Sequence, residues 1–260
     1  MDPLARGRRK GECGAVTAPS RLPLDLSQLP GTIRWGHSLP APAQGGAGLL
    51  ATGHPEIDDL LGGGFPRGRL CEVVSHGSAG ATSLAQRLLA GVTREEHLAA
   101  WVDVADAFDP ASAVALGVEL RRVLWVRPPD LAAALAATEM LLGTGGFALV
   151  LLDAARTGRQ DPGAGKGRRM LSGTHTWLRL ARAATRSQTA LVVLPGATAG
   201  AAGLAGAAAG MRLDLSPVRA VWEGAPGAPP LLEGLVTRIE VARHRGDRGG
   251  GERRASIRLV

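Results

Sequence analysis

Apolar residues recur along this chain in two rhythms, and the change from one to the other marks its parts. From residue 49 onward, short apolar runs alternate with segments that repeat every three or four residues. "LCEVV" (70–74), "LAAWVDV" (98–104), "VLWV" (123–126), "FALVLLD" (147–153) and "TALVVLP" (189–195) are the runs, rich in leucine and valine. Runs of this length with apolar residues at both parities predict strands covered on both faces. Between them, Leu84, Leu88, Leu89 and Val92 fall on one side of a helix over Thr82–Val92. Leu131, Leu135, Thr138 and Leu142 do the same over Asp130–Leu142, and Leu171, Trp177, Leu178, Ala181 and Ala184 over Met170–Ser187. "DPASAVALG" (109–117) predicts a short helix, with Asp109 as its cap, Pro110 in its first turn and Gly117 at its end.

Nearer the end, the pattern becomes strict alternation. "MRLDLSP" (211–217), "RAVWEG" (219–224), "GLVTRIEVARHR" (234–245) and "RASIRLV" (254–260) predict half-buried strands that complete the sheet in antiparallel fashion. The fold class expected is α/β: a mostly parallel central sheet covered by helices, with antiparallel strands at the C-terminal end. Two segments break all rhythm. Residues 154–169 are glycine-rich and basic, and 196–210 are nearly all glycine and alanine, which predicts mobility. Residues 1–48 are rich in proline and glycine and predict a basic tail and an extended arm, leaving 49–260 as the core.

Composition narrows the classes. At 260 residues and 45% hydrophobic, the chain can bury a sizeable core. No apolar run reaches the ~18–20 residues of a membrane span, and the charged N-terminus lacks a secretory h-region, so a cytoplasmic location and no membrane contact are expected. Cys13 and Cys71 stand apart, as free thiols of a reducing compartment do. The histidines show no metal-ligand spacing, and no metal site is expected. The net charge of +7, carried almost wholly by arginine, favours an anionic partner.

The chemistry-bearing stretch is "LCEVVSHGSAGATSLAQRLL" (70–89). A strand, a glycine-bearing turn and a helix start in that order suit a phosphate-binding loop, in which backbone N–H groups and the helix N-terminus hold a nucleotide's phosphates. Ser75, His76, Gly77, Gly80, Ala81, Thr82 and Ser83 form the loop. The position of the usual lysine holds Ala81, so the loop is degenerate. Arg67, Arg69 and Arg87 are the nearby cations that could substitute for it. Asp103 and Asp106 read as hydrogen-bonded turn carboxylates and not as an acid/base pair.

The order of these segments resembles the RecA core. "ATGHPEIDDLLGGGFPRGRLCEVV" is similar to the segment leading into its phosphate-loop strand, and "WVDVADAFDPASAVALGVELRRVLWVRP" to the segment after its first core helix. "FALVLLD" resembles its Walker B strand, ending at Asp153, and "MRLDL" and "LVTRIEVARHR" resemble its late strands. The short "GTIRWG" (31–36), with Ile33 and Trp35, is similar to the segment that docks on a neighbouring subunit. The resemblance implies that Ala81, Ala105 and Gly196 stand where the family has its phosphate lysine, its water-activating glutamate and its γ-phosphate-sensing glutamine. An ATPase stripped of these groups is expected to be no enzyme and to need no cofactor. Arg156, Arg159, Lys166, Arg168 and Arg169, after Asp153, align with a loop that touches single-stranded DNA. Arg243 and Arg245 align with the strand that reaches a neighbour's nucleotide, and so join Ile33 and Trp35 as candidate partner contacts.

A RecA core with a dead phosphate loop is similar to the ImuA-like group. That resemblance implies a non-catalytic adaptor in SOS mutagenesis and translesion synthesis. Its implied partners are the polymerase homologue ImuB with an error-prone polymerase, RecA filaments, and single-stranded DNA. The alternatives are a divergent DNA-dependent ATPase or recombinase, a cell-division inhibitor of the SulA type, and a plain DNA-binding module.

Overall fold

The structure, a computed structural model, describes residues 48–154, 174–196, 203–224, 230–244 and 253–259. The expected tail and arm, with Ile33 and Trp35, lie outside these residues, as do Arg156, Arg159, Lys166, Arg168, Arg169 and Arg245.

A two-stranded antiparallel ribbon of β1 (Leu49–Leu50) and β2 (Phe65–Pro66) encloses helix α1 (Pro55–Leu61). The carboxylate of Asp58 stitches this segment together by accepting from Thr52 N, Thr52 Oγ1 and Gly53 N at 2.8, 2.9 and 3.1 Å. Then follow β3 (Leu70–Ser75), α2 (Ala81–Arg94), β4 (Leu98–Asp103), α3 (Pro110–Ala115), β5 (Val123–Val126), α4 (Leu131–Thr144), β6 (Phe147–Asp153), α5 (Thr174–Ser187), β7 (Ala190–Leu194), β8 (Met211–Glu223), β9 (Leu231–His244) and β10 (Arg253–Leu259).

Among the described residues the main sheet has eight strands, in the order β10-β9-β8-β3-β7-β6-β4-β5. Strands β8 through β5 in that order run parallel, and β9 and β10 are added antiparallel. The expected fold class holds.

Two apolar layers flank the sheet because successive strand residues point to opposite faces. Leu149 and Leu151 of β6 join α1, α2 and α3 on one face, while Val150 and Leu152 join α4 and α5 on the other. This two-sided burial is why the parallel strands read as unbroken apolar runs. Helix starts follow their side chains. Asp109 accepts from Ala111 N and Ser112 N to cap α3, and Asp130 accepts from Ala133 N at 2.8 Å to cap α4.

Three expectations need correction. Residues 211–217 and 219–224 are not separate strands: β8 runs through Pro217, where its pairing with β9 slips. Proline is tolerated there because it falls at the irregularity and donates no ladder bond. Beyond Ser216 the strand has left β3 and is mostly exposed, so Trp222 is 59% exposed instead of half-buried. Helix α5 buries Trp177, Leu180, Ala183 and Ala184, while Leu178 and Ala181 of the expected face pack beside them only half-buried, so the face is rotated toward Leu180 and Ala183. Finally, 203–210, the described end of the 196–210 stretch expected to be mobile, are ordered; 197–202 lie outside the described residues. Residues 203–210 form a 3-10 turn over Gly206–Ala208 and bury Ala205, Ala208 and Ala209 against the α4–α5 side.

Cys71 is fully buried in β3, and that burial pushes its thiol from 9.0 up to about 12, against a weaker opposing pull from Arg69. The neutral thiol contributes stability that is complete below pH 9 and is lost as pH climbs toward 12. In a Cys13→Ser chain, a thiol reagent at pH 8 should leave Cys71 unmodified until urea unfolds the protein. Prompt stoichiometric labelling of the native chain would contradict the burial.

Candidate functional site: a degenerate phosphate loop

Strand β3 delivers its chain to the carboxyl edge of the parallel sheet, where such folds bind ligands. Ser75 ends the strand, and its Oγ donates to Gly77 O at 2.8 Å and accepts from Ala79 N at 3.3 Å. The turn closes with Gly77 at φ +73° and Gly80 at φ +83°. Gly80 is required twice over. Its backbone is left-handed, and a Cβ there would lie 2.7 Å from Cδ1 of Leu259 in β10. From Gly80, α2 begins with no side-chain cap, and its first intrahelical bond is Leu84 N to Gly80 O at 2.9 Å. The N–H groups of Ala81, Thr82 and Ser83 therefore have no partner within the helix and carry the positive end of its dipole.

The loop is also braced from behind. Thr237 of β9, fully buried, donates to Ala79 O at 3.0 Å, and His76 N donates to Leu215 O of β8 at 2.8 Å.

A cleft of about 370 Å³ opens over this turn. Ser75, Gly77, Gly80, Ala81 and Thr82 line one side of it, and Asp153, Leu194 and Gly196 the other. Asp153 is 4% exposed, at the end of β6 beside Leu194 of β7 and Asp103 of β4. None of the described residues lining the cleft is cationic. Ala81 occupies the first helical position of α2, and a methyl group there offers no charge.

The other candidates are distributed as follows. His76 does not line the cleft; its Nε2 stands 3.9 Å from Asp214 on β8. Ser83 follows Thr82 in the first turn of α2 but is not part of the lining. Arg67 and Arg69 precede β3, at the end of the strand opposite the loop, and Arg67 Nε donates to Gln188 O at 3.0 Å. Neither lines the cleft. Arg87 lies six residues into α2, roughly 9 Å along its axis from Ala81.

Ala105 lies in the turn after β4, and that turn is held by Asp103. Asp103 is 1% exposed and accepts from Ala107 N, Phe108 N and Trp125 Nε1 at 3.1, 2.8 and 3.2 Å. Asp106 faces Arg127 at 3.4 Å on the surface. Both are turn carboxylates, as expected. Arg243, on β9, donates to the carbonyl of Gly206.

The residue that sequence reasoning missed is Glu72. It reads as one polar letter in an apolar strand, yet it is fully buried. Its Oε1 accepts from Leu204 N and Ala205 N, and its Oε2 lies 3.9 Å from Arg212. The available signal was the letter itself: a glutamate inside a run destined for burial on both faces needs a partner.

Residues 44–171 match the family model of the RecA N-terminal domain. The chain is 32% identical over 163 residues to protein RecA of Borreliella burgdorferi, covering 59% of this chain and 44% of that one. It is 37% identical over 123 residues to protein RecA of Borreliella afzelii (46% and 33% covered) and 39% identical over 105 residues to protein RecA of Chlorobaculum parvum (40% and 30% covered). The chain thus spans less than half the length of these curated relatives. The fold is RecA-like, an α/β core with its antiparallel strands at the C-terminal end. Among the described residues, no helix is long and apolar enough to cross a membrane.

Proposed function

We propose that this RecA-fold chain is a non-catalytic adaptor of DNA repair that keeps the recombinase scaffold and has given up the ATP switch. The observation that carries the reading is Ala81 at the first turn of α2, in a cleft whose described lining holds no cation. Phosphoryl transfer needs a charge clamp on the β- and γ-phosphates and a positioned water. A charge-assisted contact is worth about 1.5–3 kcal/mol, so loss of the lysine alone weakens triphosphate binding about ten- to hundredfold. Each lost donor to the transition state removes a further factor of about 10²–10³ in rate. Alanine at 105 and glycine at 196 compound the deficit.

Within this reading the chain bridges an ImuB-like polymerase homologue to RecA filaments or single-stranded DNA during damage-induced mutagenesis. The relatives are RecA proteins, and the chain's charge of +7 suits an anionic surface. The mutagenesis role and the polymerase partner rest on the resemblance stated above.

The test is ATP turnover and Mg²⁺-ATP binding by the purified chain, with and without single-stranded DNA, alongside co-sedimentation with ATP-loaded RecA filaments. The expected result is no turnover above background, no micromolar nucleotide binding, and retention on filaments. DNA-stimulated hydrolysis would replace this reading with that of a divergent ATPase. Steep salt-dependent DNA binding with no protein partner would reduce it to a DNA-binding module.

A further inference from the structure

We propose that Glu72 is a positioning residue that holds residues 203–210 docked on the core through contacts made entirely within the chain, with no need of a ligand in the phosphate-loop cleft. Three observations converge on it. First, the carboxylate is fully buried and divided between two tasks: Oε1 takes the N–H groups of Leu204 and Ala205, and Oε2 faces Arg212 at 3.9 Å. Second, Gly203 is shaped to this carboxylate. It sits at φ +68°, and a Cβ there would come within 2.5 Å of both carboxylate oxygens. Third, the same segment is gripped from other strands, since Arg243 of β9 donates to Gly206 O and Gly210 N donates to Leu70 O at 2.8 Å.

The latch reaches the phosphate loop. Arg212 also binds Asp214 at 2.9 Å, and Asp214 stands 3.9 Å from Nε2 of His76. Glu72, Arg212 and Asp214 thus form one line of charged side chains from the docked segment to the imidazole of His76, in the turn that opens the cleft. In a protein that responds to nucleotide, such a line would have two arrangements. Here its buried end meets the backbone donors of Leu204 and Ala205 and, at 3.9 Å, the guanidinium of Arg212, and this favours one arrangement. A constitutive shape serves a scaffold without an ATP switch, and in that respect the proposal depends on the adaptor reading above.

Hydrogen–deuterium exchange on the full chain tests it, comparing wild type, Glu72→Gln and Gly203→Ala, each with and without Mg²⁺-ATP. Hydrogen bonds to a charged acceptor should slow exchange of the Leu204–Ala209 peptide by about ten- to hundredfold relative to an open chain. This protection is expected without nucleotide and should not change when nucleotide is added. Both variants should lose at least about fivefold of it while peptides from β4 keep theirs. Gly203→Ala keeps the test valid should Glu72→Gln fold poorly, because residue 203 lies outside the sheet.

Exchange in wild type at open-chain rates, protection that arises only with Mg²⁺-ATP, or unchanged protection in both variants would each overturn the proposal. A loss spread equally into β4 would overturn it as well, by reducing Glu72 to a general stabiliser. ATP turnover measured on the same samples separates the two claims: turnover with an intact latch removes the adaptor reading alone.

Discussion

Trp101→Ala lowers the unfolding free energy by about 3–5 kcal/mol, the range for truncating a fully buried large aromatic. Trp101 is 0% exposed in β4, paired to Leu151 on one side and Trp125 on the other. Its ring lies 4.7 Å from that of Phe108, which meets Trp125 edge-on at 5.4 Å. Removing the indole leaves a void between sheet and turn that rigid neighbours cannot fill, so the cavity cost adds to the transfer cost.

Trp101→Phe should cost far less. Among the described residues the buried indole Nε1 has no hydrogen-bond partner, so phenylalanine deletes an orphaned donor along with some area. The orphan's removal returns part of the loss, on the order of 1–3 kcal/mol for an unsatisfied buried group. Urea unfolding followed by far-ultraviolet circular dichroism gives both numbers. A Trp101→Ala cost under about 1.5 kcal/mol would mean that the site collapses freely, against its described packing.

What could be read from the sequence follows from how burial writes itself into a chain. β6 is legible because both its faces are covered, which leaves no polar position until Asp153. α3 and α4 are legible because Asp109 and Asp130 announce them chemically. The phosphate loop is legible because its geometry demands glycine at 77 and 80.

The order of strands is another matter. β3 lies between β7 and β8, partners more than a hundred residues away, and no local pattern records that. The α5 face was misplaced because small residues fill both sides of that helix, so alanine at 181 and at 183 look alike. The docking of 203–210 was invisible for a similar reason. Glycine and alanine give no amphipathic signal, and the order comes instead from backbone N–H groups reaching a carboxylate more than a hundred and thirty residues earlier.

Arg212→Met is expected to be the costliest removal of a charge, about 3–5 kcal/mol, the penalty for breaking a buried ion pair on one side only. The asymmetry of the pair decides this. Glu72 has no exposed side-chain surface, whereas Arg212 keeps 14% and has Asp214 at 2.9 Å as a second partner. Taking away the guanidinium leaves the buried carboxylate, among the described residues, with the two N–H donors of Leu204 and Ala205. Taking away the carboxylate's charge, as in Glu72→Gln, leaves the guanidinium still paired to Asp214, and one amide oxygen still able to accept from Leu204 and Ala205. Glu72→Gln should therefore cost about 1–2 kcal/mol, in line with exchanging a charged hydrogen bond for a neutral one. The double variant should fall well short of the sum, because with glutamine at 72 there is no longer a charge for Arg212 to neutralise. Urea denaturation of the four proteins gives the coupling directly, and residues in one buried network should show at least about 1 kcal/mol of it. Additivity within about 0.5 kcal/mol would mean that the two side chains act independently, and that Arg212 serves Asp214 and the sheet surface rather than the buried end of the line that leads from the phosphate loop to residues 203–210.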